Sequence, residues 1–444
     1  MSTSTLQDHE QIRHESLRIG GRKVATTRRI DVLNPFNGER VGTAPMATVE
    51  RVREAMEIGH AYRSSLSRYE RAAILSRAGL LLRSRAEEAS TLITLESGLC
   101  KKDSMYEIGR VCDVLEFGAK EALRDDGQVF SCDLTPHGKQ RKVITLREPL
   151  QGVITAITPF NHPMNQVAHK VVPSIATNNR MVLKPSEKVP LSAYYFADLL
   201  YESGLPPEML QVVTGDPREI ADELITHPLV DLITFTGGVA IGKHIAAKAG
   251  YRRVVLELGG NDPLIVMDDA DLDRATDLAV QGSYKNSGQR CTAVKRMLVH
   301  QAVAAEFTER LVAKTQAWRH GNPMDPQNDM GTVIDEAAAR LFQARVKEAV
   351  SKGARLLCGN QRKGALYAPT VLDQVRPEMT LVREETFGPV SPVIAFRDID
   401  EAIRISNGTA FGLSSGICTD SLEHATRFAK ERVVGTVNLW EVPG

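Results

Sequence analysis

The sequence predicts an α/β protein with a doubly wound, Rossmann-type sheet, a second α/β unit and a small β element. Segments of nearly continuous apolar residues, such as GVITAIT from residue 152, alternate with helical segments over residues 152–260. This alternation is typical of a parallel sheet that helices cover on both faces. A second strand–helix alternation begins at residue 263. Turn residues separate short alternating segments in residues 125–150, which predicts a β-hairpin.

The order of these segments predicts the domain organisation. Apolar residues recur at helix spacing over residues 48–97, and a second helical run extends from about 104 to 123. We expect residues 1–124 and 151–258 to form a nucleotide-binding domain, because ligands bind at the carboxyl ends of the strands in such sheets. Residues 259–434 are expected to form the second α/β domain.

Composition excludes several classes of function. The chain has 444 residues, and its 55 Lys and Arg balance its 55 Asp and Glu. Zero net charge argues against general nucleic-acid or anionic-membrane binding. No apolar stretch is long enough to span a membrane, and residues 1–20 lack the apolar core of a signal peptide. The six cysteines form no CxxC pair, which favours reduced thiols in a cytoplasmic protein and no metal site.

Two motifs follow predicted strands where a nucleotide would bind. The first, Phe235-Thr-Gly-Gly-Val-Ala-Ile-Gly242, opens a helix, whose backbone amides could hold a pyrophosphate. The GxGxxG pattern is absent, and glycines at such a turn also occur for tight packing alone. The second, Lys184-Pro-Ser-Glu187, could hold ribose hydroxyls or could be a solvated turn.

Glu257 and Cys291 are candidates for chemistry. Glu257 ends an apolar strand, where a buried carboxylate is costly unless it is used or paired. If buried, it would be a stronger base than an exposed carboxylate, which suits general-base chemistry. Cys291 directly follows Arg290. Either the arginine is a surface charge beside an ordinary thiol, or Cys291 is a nucleophile and Arg290 assists it or holds an anionic substrate.

Seven motifs in order and at matching spacing identify a family resemblance. The chain resembles the aldehyde dehydrogenase superfamily from about residue 15 to its end, and the spacing of Glu257 and Cys291 fits that family. No single motif is decisive, but the seven in order are very specific. They are Pro159-Phe-Asn161, Lys184-Pro-Ser-Glu187, Phe235-Thr-Gly-x-x-x-x-Gly242, Glu257-Leu-Gly-Gly260, Gly288-Gln-Arg-Cys291, Glu384-Glu-Thr-Phe-Gly-Pro389 and Gly435-Thr-Val-Asn438.

The resemblance implies roles for catalytic and cofactor-binding residues. Cys291 would attack the aldehyde, Asn161 would stabilise the oxyanion, and Glu257 would activate water to hydrolyse the thioester. Lys184 and Glu187 would hold the adenosine ribose, and Glu385 would hold the nicotinamide ribose, with Phe387 against the nicotinamide ring. The Glu187 carboxylate would repel a 2′-phosphate, so NAD is expected over NADP. The other residues expected to bind the cofactor are Ser186, Thr236, Gly237, Gly238, Gly242, Leu258, Thr158, Pro159 and Phe160.

The residues around the nucleophile imply an anionic aldehyde. Arg290 and Arg110 are similar to an arginine pair of the non-phosphorylating glyceraldehyde-3-phosphate dehydrogenases, and could bind a dianionic head group. His162 stands where that group has an aromatic phenol. The combination of Phe160-Asn-His-Pro-Met-Asn165 with Gly288-Gln-Arg-Cys-Thr-Ala-Val294 resembles the phosphonoacetaldehyde dehydrogenases of phosphonate catabolism. His162 could donate to an anionic oxygen and respond to pH. We expect substrate contacts from Arg290, Arg110, His162 and Thr292, and phosphonoacetaldehyde as the substrate. Glyceraldehyde 3-phosphate or another semialdehyde remains the alternative.

The resemblance also implies a homodimer or homotetramer. Family members continue past GTVNLW with a loop at the substrate site and a strand that pairs in the oligomer, so residues 435–444 are expected to begin a truncated segment. The hairpin in residues 125–150 would belong to the same oligomerisation element. Two rival classes are a nucleotide-binding scaffold without chemistry and a CoA-acylating enzyme. The presence of Cys291, Asn161 and Glu257 argues against the first, and Glu257 against the second.

Overall fold

A computed structural model describes residues 12–125 and 127–443. The strands are β1 (Arg13–His14), β2 (Leu17–Ile19), β3 (Arg22–Val24), β4 (Arg29–Leu33), β5 (Arg40–Pro45), β6 (Val129–Ser131), β7 (Lys142–Ile144), β8 (Val153–Ile157), β9 (Met181–Lys184), β10 (Leu210–Val212), β11 (Val230–Thr236), β12 (Arg253–Glu257), β13 (Asp262–Val266), β14 (Val294–His300), β15 (Arg355–Cys358), β16 (Arg362–Lys363), β17 (Leu366–Tyr367), β18 (Thr370–Asp373), β19 (Val390–Phe396), β20 (Ser414–Cys418) and β21 (Thr436–Leu439).

The helices mostly lie singly between strands, although the first four, like the tenth and eleventh, follow one another without an intervening strand. They are α1 (Val49–Ala61), α2 (Arg68–Ser84), α3 (Ala86–Ser97), α4 (Lys101–Ala122), α5 (Asn165–Ala176), α6 (Leu191–Glu202), α7 (Pro217–Thr226), α8 (Val239–Lys248), α9 (Leu272–Tyr284), α10 (Ala304–Ala317), α11 (Glu336–Ser351), α12 (Thr380–Arg383), α13 (Ile399–Asn407) and α14 (Leu422–Glu431). Among these described helices, none is long and apolar enough to cross a membrane.

The first large sheet has the strand order β12-β11-β8-β9-β10-β2-β3. Strands β8 to β12 are parallel, as predicted. Strands β2 and β3 extend the sheet in the antiparallel direction, which the sequence analysis did not anticipate. Each has only three residues, too few to show a period. Burial of Leu17 and Ile19 against the core explains why β2 joins the sheet.

Helices cover both faces of this sheet. Val153 and Ile154 are neighbours in β8, so their side chains point to opposite faces. Val153 packs with α1 and α7 residues in one buried cluster, and Ile154 packs with residues of α2, α4, α5 and α6 in another. The fold class predicted from the sequence is therefore confirmed.

The second large sheet has the strand order β15-β18-β19-β14-β13-β20-β21. It is parallel except for β15, which pairs with β18 in the antiparallel direction. Its neighbouring residues Leu264 and Ile265 belong to two different buried clusters, so this sheet also has two covered faces. The domain boundaries drawn from the sequence stay predictions.

Three local features differ from or refine the sequence analysis. The helical run over residues 48–97 is three helices, α1 to α3, rather than one continuous element. Helix α5 was not predicted, and it contains Pro173. The hairpin is present as β6 and β7, three residues each, and it exposes apolar side chains that include Val129, Phe130 and Ile144. A role of this hairpin in oligomerisation stays a prediction.

Strand register brings the predicted motifs to one edge of the first sheet. Ile157 pairs with Lys184 and with Phe235, and Thr236 pairs with Glu257, so β8, β9, β11 and β12 end side by side. Strands β13 and β14 of the second sheet begin at Asp262 and Val294, three residues or fewer from Gly260 and Cys291. The candidate site therefore lies between the carboxyl edge of one sheet and the amino edge of the other.

Candidate active site

The loop before Cys291 has an unusual backbone. Asn286, Ser287 and Gly288 have φ angles of 58°, 54° and 69°, three left-handed residues in succession. A Cβ on Gly288 would lie 2.5 Å from the backbone carbon of Gly388, so no side chain fits there. The Asn286 backbone amide donates to the Asp103 carboxylate on α4 at 2.8 Å. Left-handed backbone of this kind is costly and concentrates at functional sites, where surrounding contacts hold it.

Cys291 lies half-buried at the end of this loop. A Cβ on Gly260 would lie 2.1 Å from the Cys291 carbonyl oxygen, so glycine is needed for the approach of these two chain segments. Burial raises the pKa of the Cys291 thiol, and the Lys295 ammonium opposes that rise. The carboxylates of Glu257, Asp262 and Glu385 add to it, because they disfavour a thiolate nearby.

Asn161 lies across the same cavity and is buried. Its side-chain Nδ2 donates to the Gln289 carbonyl oxygen at 2.9 Å, two residues before Cys291. The Asn286 side chain in turn donates to the Asn161 carbonyl oxygen at 2.9 Å. An amide nitrogen carries two N–H donors, so Asn161 keeps one for a further acceptor.

Glu257 corrects one expectation. The sequence analysis argued that a carboxylate at the end of an apolar strand is buried, but Glu257 is exposed. The reason is that β12 is the edge strand of its sheet, where one side lacks a neighbouring strand. Glu257 nevertheless acts electrostatically on both the Cys291 thiol and the Lys170 ammonium, so it lies in the same site.

Lys170 is a site residue that the sequence analysis missed. It projects from α5, is nearly fully buried, and donates to the hydroxyls of Thr234 and Thr236 at 3.2 and 2.8 Å. Burial lowers the pKa of Lys170 to about 8, and the nearby Glu257 opposes that shift. The available signal was a lysine inside the apolar run VAHKVVPSIA, which was not assigned to a helix.

Two strand-end loops hold the residues expected to bind the adenosine half of a dinucleotide. Lys184 is buried, and its Nζ donates to the Glu187 carboxylate at 3.0 Å. The pKa of Glu187 is lowered, because the Lys184 ammonium outweighs the burial of the carboxyl. The Ser186 hydroxyl accepts from the Lys188 amide at 3.3 Å, which shapes the turn. Glu187 is 40% exposed and can therefore turn toward a ribose.

The next two loops form one wall of a cavity of about 240 Å³. Gly238 precedes α8, and a Cβ placed on it would meet nothing within 4 Å, so open space lies against the helix amides. Gly242 packs closely on Leu258. The Thr158 hydroxyl is buried and has no hydrogen-bond partner in the part of the chain that the structure describes. The cavity is lined by Pro159, Phe160, Asn161, Gln166, Thr236, Gly237, Gly238, Leu258, Gly259, Cys291, Glu385 and Phe387.

Two aromatic rings and a carboxylate also line this cavity. Phe160 and Phe387 meet edge to face, with ring centroids 5.9 Å apart. Glu385 accepts from the Gly260 amide at 3.0 Å, and burial raises its pKa. Open space beside the helix amides, two apolar rings and a carboxylate in one cleft fit a nicotinamide dinucleotide.

The three residues expected to bind the anion act on one another electrostatically. Arg290 is half-buried and donates from Nη2 to the Gly282 carbonyl oxygen at 2.9 Å, whereas Arg110 is exposed on α4. Burial lowers the pKa of His162 to about 3, and the charges of Arg290 and Arg110 add to that effect. His162 is therefore neutral near pH 7, and the expectation that it responds to pH there is wrong. Thr292 lies half-buried beside Cys291.

Comparisons with known proteins agree with this geometry. Residues 23–444 match the model of the aldehyde dehydrogenase family. The chain is 38% identical to 3-sulfolactaldehyde dehydrogenase of Priestia aryabhattai over 426 residues, 96% of this chain and 89% of that protein. It is 37% identical to sulfoacetaldehyde dehydrogenase of Neptuniibacter caesariensis over 417 residues, 93% of this chain and 91% of that protein.

A solved structure gives the same result for the fold. NADP-dependent glyceraldehyde-3-phosphate dehydrogenase from Bacillus halodurans C-125, complexed with NADP, superposes with a TM-score of 0.94. The two chains are 37% identical, and the match covers 98% of this chain and 92% of that one. The order of the motifs, the fold and the cleft around Cys291 all lead to the same conclusion. This chain is a member of the aldehyde dehydrogenase family.

Proposed function

We propose that this protein oxidises a short anionic aldehyde to its carboxylate with NAD, and that the substrate is phosphonoacetaldehyde, which yields phosphonoacetate. The observation that carries the proposal is the charge around the nucleophile loop: Arg290 adjoins Cys291 in the chain, and the charges of Arg290 and Arg110 both act on His162. These charges would attract the anionic group of a substrate.

Cys291 and Asn161 carry the first step. The Cys291 sulfur, as thiolate, forms a bond to the aldehyde carbon, and the carbonyl oxygen becomes an oxyanion. The free N–H of the Asn161 side chain and the Cys291 backbone amide donate to that oxygen. When bound, NAD would accept the hydride that leaves the adduct carbon. The product on Cys291 is then a thioester.

Glu257 carries the second step. Its exposed carboxylate takes a proton from water as the water oxygen attacks the thioester carbon. The Cys291 sulfur leaves as thiolate, and the carboxylate product is released. Lys170 lies close enough to Glu257 for the ammonium and the carboxylate to attract each other.

The substrate wall favours a compact anion close to the aldehyde. Arg290 adjoins Cys291 in the chain, and its guanidinium interacts electrostatically with Cys291. His162 is neutral and can donate one ring N–H to an anionic oxygen. A phosphonate carries up to two negative charges, which suits two arginines. Sulfoacetaldehyde is the second candidate, because two relatives are named for sulfonated aldehydes.

Glu187 favours NAD. Its carboxylate is held by Lys184 at 3.0 Å, at the carboxyl end of β9. Ribose hydroxyls can donate to this carboxylate, whereas a 2′-phosphate would be repelled by it. Members of the family use either NAD or NADP, so we assign the preference for NAD to the loop from Lys184 to Glu187.

The experiment measures NADH formation with phosphonoacetaldehyde, sulfoacetaldehyde, glyceraldehyde 3-phosphate, succinic semialdehyde and propanal, with and without coenzyme A. We expect phosphonoacetaldehyde to be preferred and product to form without coenzyme A. Cys291→Ala should abolish turnover and retain NAD binding. Activity of Cys291→Ala near that of the wild type would refute the mechanism.

The anion wall is tested separately with Arg290→Ala. Loss of a charge-assisted hydrogen bond costs roughly 1.5–3 kcal/mol, so kcat/KM for the anionic aldehydes should fall about 10- to 150-fold. The value for propanal should change little. Arg404→Ala, which removes an exposed arginine of α13, is the control. An equal loss for propanal would show that Arg290 is structural.

A further inference from the structure

We infer that Lys295 is a positioning residue for the nucleophile: it holds the Cys291 backbone in place and puts a positive charge beneath the thiol. This inference rests on the proposed role of Cys291 as nucleophile. Lys295 is the second residue of β14, four residues after Cys291, and its side chain is only 3% exposed. It projects back under the loop that presents the cysteine.

The Lys295 ammonium has three polar neighbours. Its Nζ donates to the Arg290 carbonyl oxygen at 2.5 Å and to the Cys291 carbonyl oxygen at 3.1 Å. The third neighbour is the Glu385 carboxylate, 3.8 Å from Nζ. The Phe387 ring centroid lies 5.6 Å from the same nitrogen. Lys295 thus joins the nucleophile loop to the two residues expected at the nicotinamide half of the cofactor.

This geometry favours the charged form of Lys295. The ammonium donates to two carbonyl oxygens, and its charge attracts the Glu385 carboxylate 3.8 Å away. A neutral amine could still donate to both carbonyl oxygens but would lose the attraction to the carboxylate. Burial lowers the pKa of Lys295, and the carboxylates of Glu385 and Asp262 oppose that shift. These contacts favour the charged ammonium of Lys295, whereas burial alone favours the neutral amine.

The charge matters because acidic groups surround the thiol. Glu257, Asp262 and Glu385 each raise the pKa of Cys291, after burial, which is the largest cause. The Lys295 ammonium opposes them. Without it, Cys291 would face burial and three carboxylates with no compensating cation from β14. An opposite charge within about 4–6 Å shifts a pKa by roughly 1–3 units.

The test measures the pH dependence of Cys291 alkylation by iodoacetamide in the cofactor-free protein, so it does not depend on turnover. Lys295→Met keeps the length and removes the charge. The midpoint for this variant should rise by about one pH unit or more, and alkylation near pH 7 should slow by about tenfold. Cys291→Ser gives the background from the other cysteines. Lys101→Met, at a lysine that pairs with Glu87 away from the thiol, is the control.

Glu385→Gln tests the same charge balance with Lys295 intact. It removes one carboxylate that opposes the thiolate, so its midpoint should fall below that of the wild type. If Lys295→Met does not fold, as judged by circular dichroism, this second variant decides. A Lys295→Met midpoint within about 0.3 pH unit of the wild type, or a Glu385→Gln midpoint that does not fall, would overturn the inference. Loss of turnover in Cys291→Ala alongside either result would leave the proposed function intact.

Discussion

Glu107→Gln gives a prediction whose size follows from the structure. Glu107 lies on α4, is 1% exposed, and accepts from the amides of Met164 and Asn165 at 2.8 and 2.9 Å. These two amides lie at the start of α5, and only Pro163 separates Met164 from His162. The second carboxyl oxygen of Glu107 has no hydrogen-bond partner among the described residues, and lies 3.9 Å from His162 Nδ1.

Burial raises the pKa of Glu107 from its ordinary 4.5 to about 8. Between these values the folded protein holds a proton on Glu107 that the unfolded chain has lost. Stability therefore falls with rising pH by about 1.4 kcal/mol per unit from this group alone, until about pH 8. The stabilisation is fully present below pH 4.5 and is lost as the pH rises through the folded value.

The variant removes this slope and keeps the hydrogen bonds. A glutamine oxygen can accept from both amides, and the amide group carries no charge. Relative to the wild type, Glu107→Gln should gain about 3 kcal/mol in unfolding free energy between about pH 5.5 and 7.5. Urea denaturation at several pH values measures the difference.

Glu121→Gln, at an exposed glutamate of the same helix, is the control, and its difference from the wild type should stay flat. If the difference in unfolding free energy between Glu107→Gln and the wild type is also independent of pH, the Glu107 carboxyl ionises at low pH in the folded protein, as it does in the unfolded chain. The reasoning from burial would then be refuted.

Two further predictions concern Lys170 and Glu187. Lys170→Met removes a buried ammonium with a pKa of about 8 from beside Glu257, so turnover should fall about tenfold or more. For the wild type we expect the rate to fall as the pH rises through about 8 and Lys170 loses its charge, and this fall should be absent from initial-rate pH profiles of the variant; an unchanged profile would contradict this role. Glu187→Ser removes the carboxylate that repels a 2′-phosphate and frees the Lys184 ammonium. The ratio of kcat/KM for NADP to that for NAD should therefore rise about tenfold or more. An unchanged ratio would mean that another loop sets the cofactor preference.

Several site residues could be predicted because their signals are local. Cys291 follows a glycine-containing turn, and Glu257 ends an apolar strand, so both stand out in the sequence. The order of these motifs along the chain carried the family assignment. Helix α5 was missed because Pro173 lies near its end. Its mixed composition also made the helical period hard to recognise in the sequence. Lys170 was missed with it.

Other properties depend on contacts between distant segments. Glu257 is exposed because its strand lies at the edge of the sheet, and no single segment of the sequence specifies the order of the strands. Lys295 looked like a strand residue beside Arg296, which is fully buried and donates to the carbonyl oxygens of Asn261 and Ile405. The contact of Lys295 with Glu385 joins residues 90 positions apart in the chain.

The sequence by itself determined the fold class, the family and the identity of the candidate nucleophile, because strand–helix alternation and motif order are local patterns that survive without coordinates. Only the tertiary structure decided the charge states in the site. The low pKa of His162 and the raised pKa of Glu107 arise from burial and from groups on other elements. Desolvation and Coulomb interactions depend on distances in space, and a chain position alone does not specify them.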